Sequence, residues 1–181
     1  MAKFVQLKSL AKNTVGRPDD FLLQQMEMLL DIHAQLDAKI SEVEGLIQEC
    51  IMGIDPPILT IPGIGYLSAA VILSEYGDFS KYENPSKMLS FAGLEPGYFQ
   101  SGQSEHTGHM VKHGSSYLRY ALMNACLPLI THDPVFAEYY AKKRAEGKPY
   151  RVALTHVAKK LLRVIYTLQT RNIPYDPTQI R

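Results

Sequence analysis

Apolar residues recur along the chain with helical periods, and the longest such run lies near its start. From Leu22 the stripe reads Leu22, Met26, Leu29, Leu36, Ile40, Val43 and Ile47, with His33 at the one polar step. This 4-3-4-3 spacing is the seam of a heptad coiled coil. Asp19 or Asp20 can cap its start, because a carboxylate there accepts free first-turn N–H groups and suits the helix dipole. Over some 28 residues the rod would be about 42 Å long. A rod of that length cannot bury its stripe alone, so the pattern predicts a coiled-coil helix over 19–54 that oligomerises through residues 22–47. His33 would then set the register. A helix packed on its own domain is the alternative. Residues 1–18 have no clear period and close on Gly16-Arg17-Pro18, which predicts a flexible arm.

Pro56-Pro57 ends the rod, and 55–181 reads as a compact helical domain. Residues 58–76 look like a helix-hairpin-helix motif: a short helix, the turn Pro62-Gly63-Ile64-Gly65, and a second helix packed by Leu67, Ala70, Val71 and Ile72. Glycines let such a turn reach φ > 0 and let backbone approach a phosphate, which the N–H groups opening the next helix then face. An ordinary connector between helices is the competing reading. Asn84-Pro85 starts a short helix with Met88, Leu89 and Phe91 inward, ended by Gly93. A loop runs on to Gly114. Ser115 or Ser116 caps an apolar helix to His132, bent or broken at Pro128. Asp133-Pro134 opens another, closed by Gly147. The last helix, about 150–170, puts Val152, Val157, Leu161 and Val164 inward and leaves Lys159, Lys160 and Arg163 near its polar side. No convincing strand alternation appears, so the predicted fold class is all-α.

Composition narrows the picture only in part. The chain has 181 residues and is 46% hydrophobic, enough for one domain or one domain with an appendage. No run approaches the roughly 18–20 uninterrupted apolar residues of a membrane span. Nothing near the start resembles a signal peptide, so the expectation is a soluble cytoplasmic protein without a membrane partner. Cys50 and Cys126 are far apart and predict reduced core thiols rather than a disulfide or metal pair. The net charge of +1 hides an asymmetry. Residues 1–57 hold five Lys/Arg against nine Asp/Glu, whereas residues 101–171 hold eleven against four. A basic second half suits a polyphosphate partner.

The loop from Glu95 to Gly114 is rich in Gly, Ser and His, and no core-building period explains it. Ser101 is its candidate reactive residue, with Ser104 as a substitute; read from the sequence alone, either could be a plain turn residue. A Ser hydroxyl is a weak nucleophile and needs a base or an assembled pocket. Charge building on a phosphoryl oxygen needs cations, and Lys112 and Arg119 are the nearest candidates, with His113 beside them. Lys142, Lys143, Arg144, Lys159, Lys160 and Arg163 extend the basic set. Glu105, His106, His109 and His113 lie close enough to gather around zinc, but their spacing matches no zinc signature and no metal site is assigned.

Ile61-Pro62-Gly63-Ile64-Gly65, Phe91-Ala92-Gly93-Leu94 with Pro96, Gln100-Ser101-Gly102 with Ser104, Lys112 with Gly114, and Leu118-Arg119 stand in the order and spacing of one family. Together, over about residues 59–175, the chain resembles the C-terminal domain of bacterial insertion-sequence transposases that pair a serine with a four-carboxylate, RNase-H-like domain. Members of that family are guided by a bridge RNA, and the N-terminal rod resembles the coiled coil that joins their two catalytic domains. The resemblance implies that Ser101 attacks a DNA phosphate, giving a covalent phosphoserine and a free 3′ hydroxyl. It also implies DNA and a guide RNA as partners.

The family's acidic domain precedes the coiled coil and binds magnesium. This chain leaves no room for it ahead of residue 20, which reads as an excised piece or a truncated reading frame. No cofactor is then expected on the chain itself, with Mg2+ entering only through that separate domain. Asp78, Glu83, Glu95 and Glu105 are too scattered to replace it. Strand transfer is accordingly expected to need an added acidic domain. Two other readings stay open: a non-catalytic DNA- or RNA-binding and oligomerisation module able to act as an inhibitor, and a remnant without selected activity.

Overall fold

The computed structural model describes residues 2–12, 16, 19–101, 104–110 and 113–179, with backbone alone at 2–4, 96–101 and 104–110. The chain divides into two compact units, Met1–Val43 and Glu44–Arg181. Among the described residues no helix is long and apolar enough to cross a membrane.

In the first unit, the segment read as an arm is helical over Ala2–Lys12 (α1). The rod, α2, runs over Asp20–Ile54. Asp19 is its cap: one carboxylate oxygen accepts from Phe21 N at 3.0 Å and Leu22 N at 3.3 Å. The seam residues from Leu22 to Val43 are half or more exposed. His33 Nδ1 lies 3.1 Å from Asp37, one turn on. Both side chains face solvent, so this contact holds the helix together only weakly.

In the second unit the fold is all-α around a single core, with one β-hairpin inserted in the chain between its helices. Ile51 of α2 is buried there. The helix stops at Ile54, Asp55 takes a positive φ of 46°, and Pro56-Pro57 blocks continuation. A single 3-10 turn, Pro57–Thr60, stands where a short helix was expected. Then come α3 (Tyr66–Tyr76), α4 (Pro85–Phe91), strands β1 (Pro96–Ser101) and β2 (Ser104–Met110), α5 (Ser116–His132), α6 (Pro134–Ala145) and α7 (Tyr150–Arg171).

α7 packs against α4, α5, α6 and the 3-10 turn. Its buried residues pair up as Ala153-Leu154, Val157-Ala158, Leu161-Leu162 and Val164-Ile165, then Leu168. A double stripe of that kind is about a third of a helix circumference, wide enough to face several partners. Val152 falls outside it and is exposed, as is Leu67 on α3, against the inward placements expected of them. Phe91 is partly exposed but joins Tyr76, Phe79 and Tyr82 in an aromatic cluster with ring centroids 5.5–6.3 Å apart.

α5 is continuous through Pro128. The missing N–H is tolerated because Leu122, Ala125, Cys126 and Leu129 bury the helix around it. Asp133, 2% exposed, ends α5 and caps α6: its Oδ1 accepts from Val135 N and Phe136 N, and its Oδ2 from the Tyr175 hydroxyl at 2.6 Å. Tyr175 N also donates to Thr60 Oγ1 at 2.7 Å, which ties the C-terminal tail to the 3-10 turn. Cys126 is buried, and burial pushes its thiol up to about 12; Cys50 is exposed on α2 rather than part of the core.

Candidate nucleic-acid interface

The foot of the hairpin is a Schellman helix end. Gly93, at φ 64°, donates to Ser90 O, and Leu94 donates back to Leu89 O. Those two bonds, with the buried Leu89–Leu94 pair, are what Phe91-Ala92-Gly93-Leu94 encodes. The returning strand is pinned to the same point. A Cβ on Gly114 would lie 2.3 Å from Phe91 O and 2.7 Å from Gly93 N, so only glycine lets the chain pass. Ser115 N then donates to Phe91 O at 3.2 Å, and the Ser115 hydroxyl caps α5 by accepting from Leu118 N.

Between these fixed ends the stretch expected to be a loop is an antiparallel pair, β1 with β2. Its last Cα pair is Ser101 with Ser104. Both candidate serines therefore flank the hairpin's connection, one on each strand. Lys112 lies outside the described residues, and the side chains of Glu105, His106 and His109 are not described. Among the described residues no group of three or more His, Cys, Asp or Glu gathers as a metal site would require.

The turn at 61–65 has a packing explanation for part of its sequence. Ile64 N donates to Ile61 O at 3.2 Å, with Pro62 second and Gly63 third at φ 85°, the pattern of a type II turn. A Cβ on Gly63 would meet Pro128 Cβ at 2.9 Å and Leu129 N at 3.0 Å. The close approach Gly63 permits is thus to α5. Ile64 is buried and its N–H is already used, so it serves the core. Gly65 differs: it sits before α3 in extended conformation with open space around it and no side-chain cap on the helix. An anion at this turn would meet Gly65 and the first turn of α3.

The basic residues separate into two groups. Lys142, Lys160, Arg163 and Arg171 line one cleft of about 540 Å3 between α6, α7 and the C-terminal tail, with Tyr139 beside them and Asp176 opposite. Lys160 Nζ stands 4.9 Å from the Tyr139 ring centroid and 5.5 Å from that of Phe136. Burial pushes its ammonium below the usual range, against the pull of Asp133 and Glu138. A partly desolvated cation held by ring faces has more to gain from an incoming anion than one already paired.

Lys143 and Arg144 do other work. Lys143 binds Glu146 at 2.8 Å, a contact that holds its ammonium up and the carboxylate down. Arg144 donates to Lys148 O at 2.7 Å, closing the end of α6. Lys159 is lowered by burial and by Arg163, with Glu95 at the hairpin foot opposing. Arg119 donates to Ala92 O at 3.3 Å, and His113 is exposed at the hairpin's return. Arg171 and Tyr139 were not singled out in the sequence. Tyr139 lies one turn before Lys143 on α6, a spacing that could have marked it.

Four cations gathered along one cleft make a surface of the kind that receives a polyanion. Residues 55–141 match the family model described as Transposase IS116/IS110/IS902 family. It is 29% identical over 140 residues to the insertion element IS110 uncharacterized 43.6 kDa protein of Streptomyces coelicolor, covering 77% of this chain and 34% of that one. It is 31% identical over 121 residues to the pilin gene-inverting protein of Moraxella bovis, covering 66% and 38%. A transposase for insertion sequence element IS1111A from Coxiella burnetii is 27% identical over 121 residues, covering 65% and 33%. The chain spans about a third of the length of these relatives.

Proposed function

We propose that this chain is the serine-bearing, nucleic-acid-binding part of a transposase or recombinase. The observation that carries the reading is the cleft in which Lys142, Lys160, Arg163 and Arg171 converge. Four cations along one groove suit the evenly charged backbone of a nucleic acid, and contacts of that type hold the duplex without reading its bases. Gly65 with the first turn of α3, His113 and Lys159 would extend the contact, as would Lys112. A guide RNA takes part of this surface if the resemblance to RNA-guided relatives holds for this chain.

In the chemical step Ser101 Oγ attacks a DNA phosphorus while its proton passes to a base. The P–O3′ bond breaks, the phosphoserine diester forms, and the departing 3′ oxygen takes up a proton as a hydroxyl. Attack by a 3′ hydroxyl on that diester reverses the sequence and reseals the strand. Because one phosphodiester replaces another, no external energy source is needed. The resemblance assigns magnesium to carboxylates of a separate acidic domain. This chain supplies the nucleophile, and its cations offset charge on the phosphate. The exposed heptad stripe of α2 supports association between copies through residues 22–47.

A covalent-trapping assay tests the chemistry: the chain with labelled duplex, Mg2+, guide RNA and a supplied acidic domain, on a denaturing gel beside Ser101→Ala. A shifted band lost in Ser101→Ala is the expected result. Salt-sensitive binding without a band, while a longer relative gives one, would reduce the chain to a binding and assembly module.

A further inference from the structure

A second cleft, also about 540 Å3, lies between the first turns of α5 and the start of α7. Arg119, Tyr120 and Asn124 come from one face of α5, and Tyr150 and Arg151 from the first turn of α7. Met123, Leu127 and Leu154 form its apolar floor. No carboxylate lines it, and neither arginine pairs with one among the described residues.

The aromatic residues here are not spent on the fold. Tyr120 is 71% exposed although Leu118, Ala121 and Leu122 around it are buried. Tyr150 is 49% exposed, its ring set edge-on to Tyr140 at 6.4 Å and 83°. Arg119 is oriented by its bond to Ala92 O, which occupies one of the five donors of the guanidinium and leaves the others for a ligand. That same helix end carries the hairpin foot, so the cleft adjoins the root of the segment bearing Ser101.

We propose that this cleft holds an unpaired nucleotide of a single-stranded nucleic acid. The base stacks on Tyr120 or Tyr150, Asn124 offers both a donor and an acceptor to its edge, and Arg119 and Arg151 take the flanking phosphates. Ring faces together with unpaired cations are how proteins seat single strands, whereas a duplex hides its base faces. An acidic peptide would use the arginines but not the exposed rings. The inference rests on the nucleic-acid reading above and assigns to this second cleft the unpaired part of that partner.

The test is fluorescence anisotropy of the whole chain with a labelled 20-nucleotide single strand and, separately, the same sequence as a duplex. At least one of Tyr120→Ala and Tyr150→Ala weakens single-strand binding by about tenfold, which is one stacked base at roughly 1–3 kcal/mol. Duplex binding changes by less than about twofold, since it draws on the other cleft. Tyr120→Phe keeps the stacking face and stays near the parent, and unchanged melting curves verify that exposed Tyr120 is not needed for folding. Single-strand affinity untouched by both alanine variants, or competition by poly-glutamate as strong as by the oligonucleotide, overturns the assignment while leaving the duplex reading intact. Failure of the parent chain to bind either nucleic acid removes both.

Discussion

The two clefts of the helical domain are alike in volume and sign of charge, yet their walls are built for different chemistry. The α6/α7 cleft presents four cations with long side chains and one carboxylate, Asp176. The α5/α7 cleft presents two arginines, two tyrosines and an asparagine over an apolar floor. The first can follow a charged backbone and is indifferent to bases. The second is too poor in charge to track a backbone but offers ring faces. Cleft volume and the sign of the charge therefore do not distinguish the two; what distinguishes them is the number of charges and which residue types lie at the rim.

The largest expected perturbation of this contrast is Asp133→Ala. It leaves the N–H groups of Val135 and Phe136 and the Tyr175 hydroxyl without their acceptor, at a cost of about 3 kcal/mol in urea unfolding. Because Tyr175 anchors the tail that walls the α6/α7 cleft, duplex binding falls while Tyr120-dependent single-strand binding persists. Equal loss of both would erase the distinction.

Replacing Lys142 and Arg163 together by alanine comes next. Duplex affinity drops, and the slope of log affinity against log salt falls by about one per residue removed. Lys143→Ala, one position away, changes the slope far less because Glu146 already holds that ammonium.

Smaller again is Tyr175→Phe, which loses one hydrogen bond worth about 1 kcal/mol. It also alters the alkaline limb. Burial and Asp133 raise the folded-state pKa of Tyr175, so the unfolded chain gives up this proton first. Stability is full below about pH 10 and declines as pH rises beyond it, less steeply in Tyr175→Phe.

The smallest effect is at His156, lowered by burial and by Lys148, Lys159 and Lys143. Here the unfolded state binds the proton more readily, so stability declines as pH falls through about 6.5. Urea titrations at pH 7.5 and 5.5 should find that decline reduced in His156→Gln.

Helices were readable in the sequence where a cap and a period coincide. Asn84-Pro85 and Asp133-Pro134 start α4 and α6 as expected, each with the side-chain acceptor in place. Face assignment was less secure. Val152 fits a single-stripe reading of α7, but the observed double stripe begins one residue later at Ala153. Pro128 reads as a break by propensity, and burial of its neighbours overrides that. The hairpin left no periodic trace because residues 96–110 carry no regular alternation of polar and apolar types.

The site was legible in kind but not in detail. Lys142 and Lys143 are adjacent and chemically equal in the sequence. A step of roughly 100° around α6 sends one to the cleft and the other to Glu146. Ser101 drew attention through its place in a set of motifs, since its residue type alone fits any turn. A glycine at position 63 suits a close-lying phosphate by sequence, and Pro128 accounts for it within the fold.

Both strands of the hairpin leave the core at one point, where Gly114 lies against Phe91 and Gly93. Such a side branch can change length without disturbing the helices beneath it, since doubling a closed loop costs only about 0.6 kcal/mol. Insertions and deletions drifting through this family should therefore collect between residues 95 and 113 and be excluded at positions 93 and 114. A hairpin transplanted from a relative should graft cleanly if those two glycines are kept, which would make the segment an exchangeable cartridge.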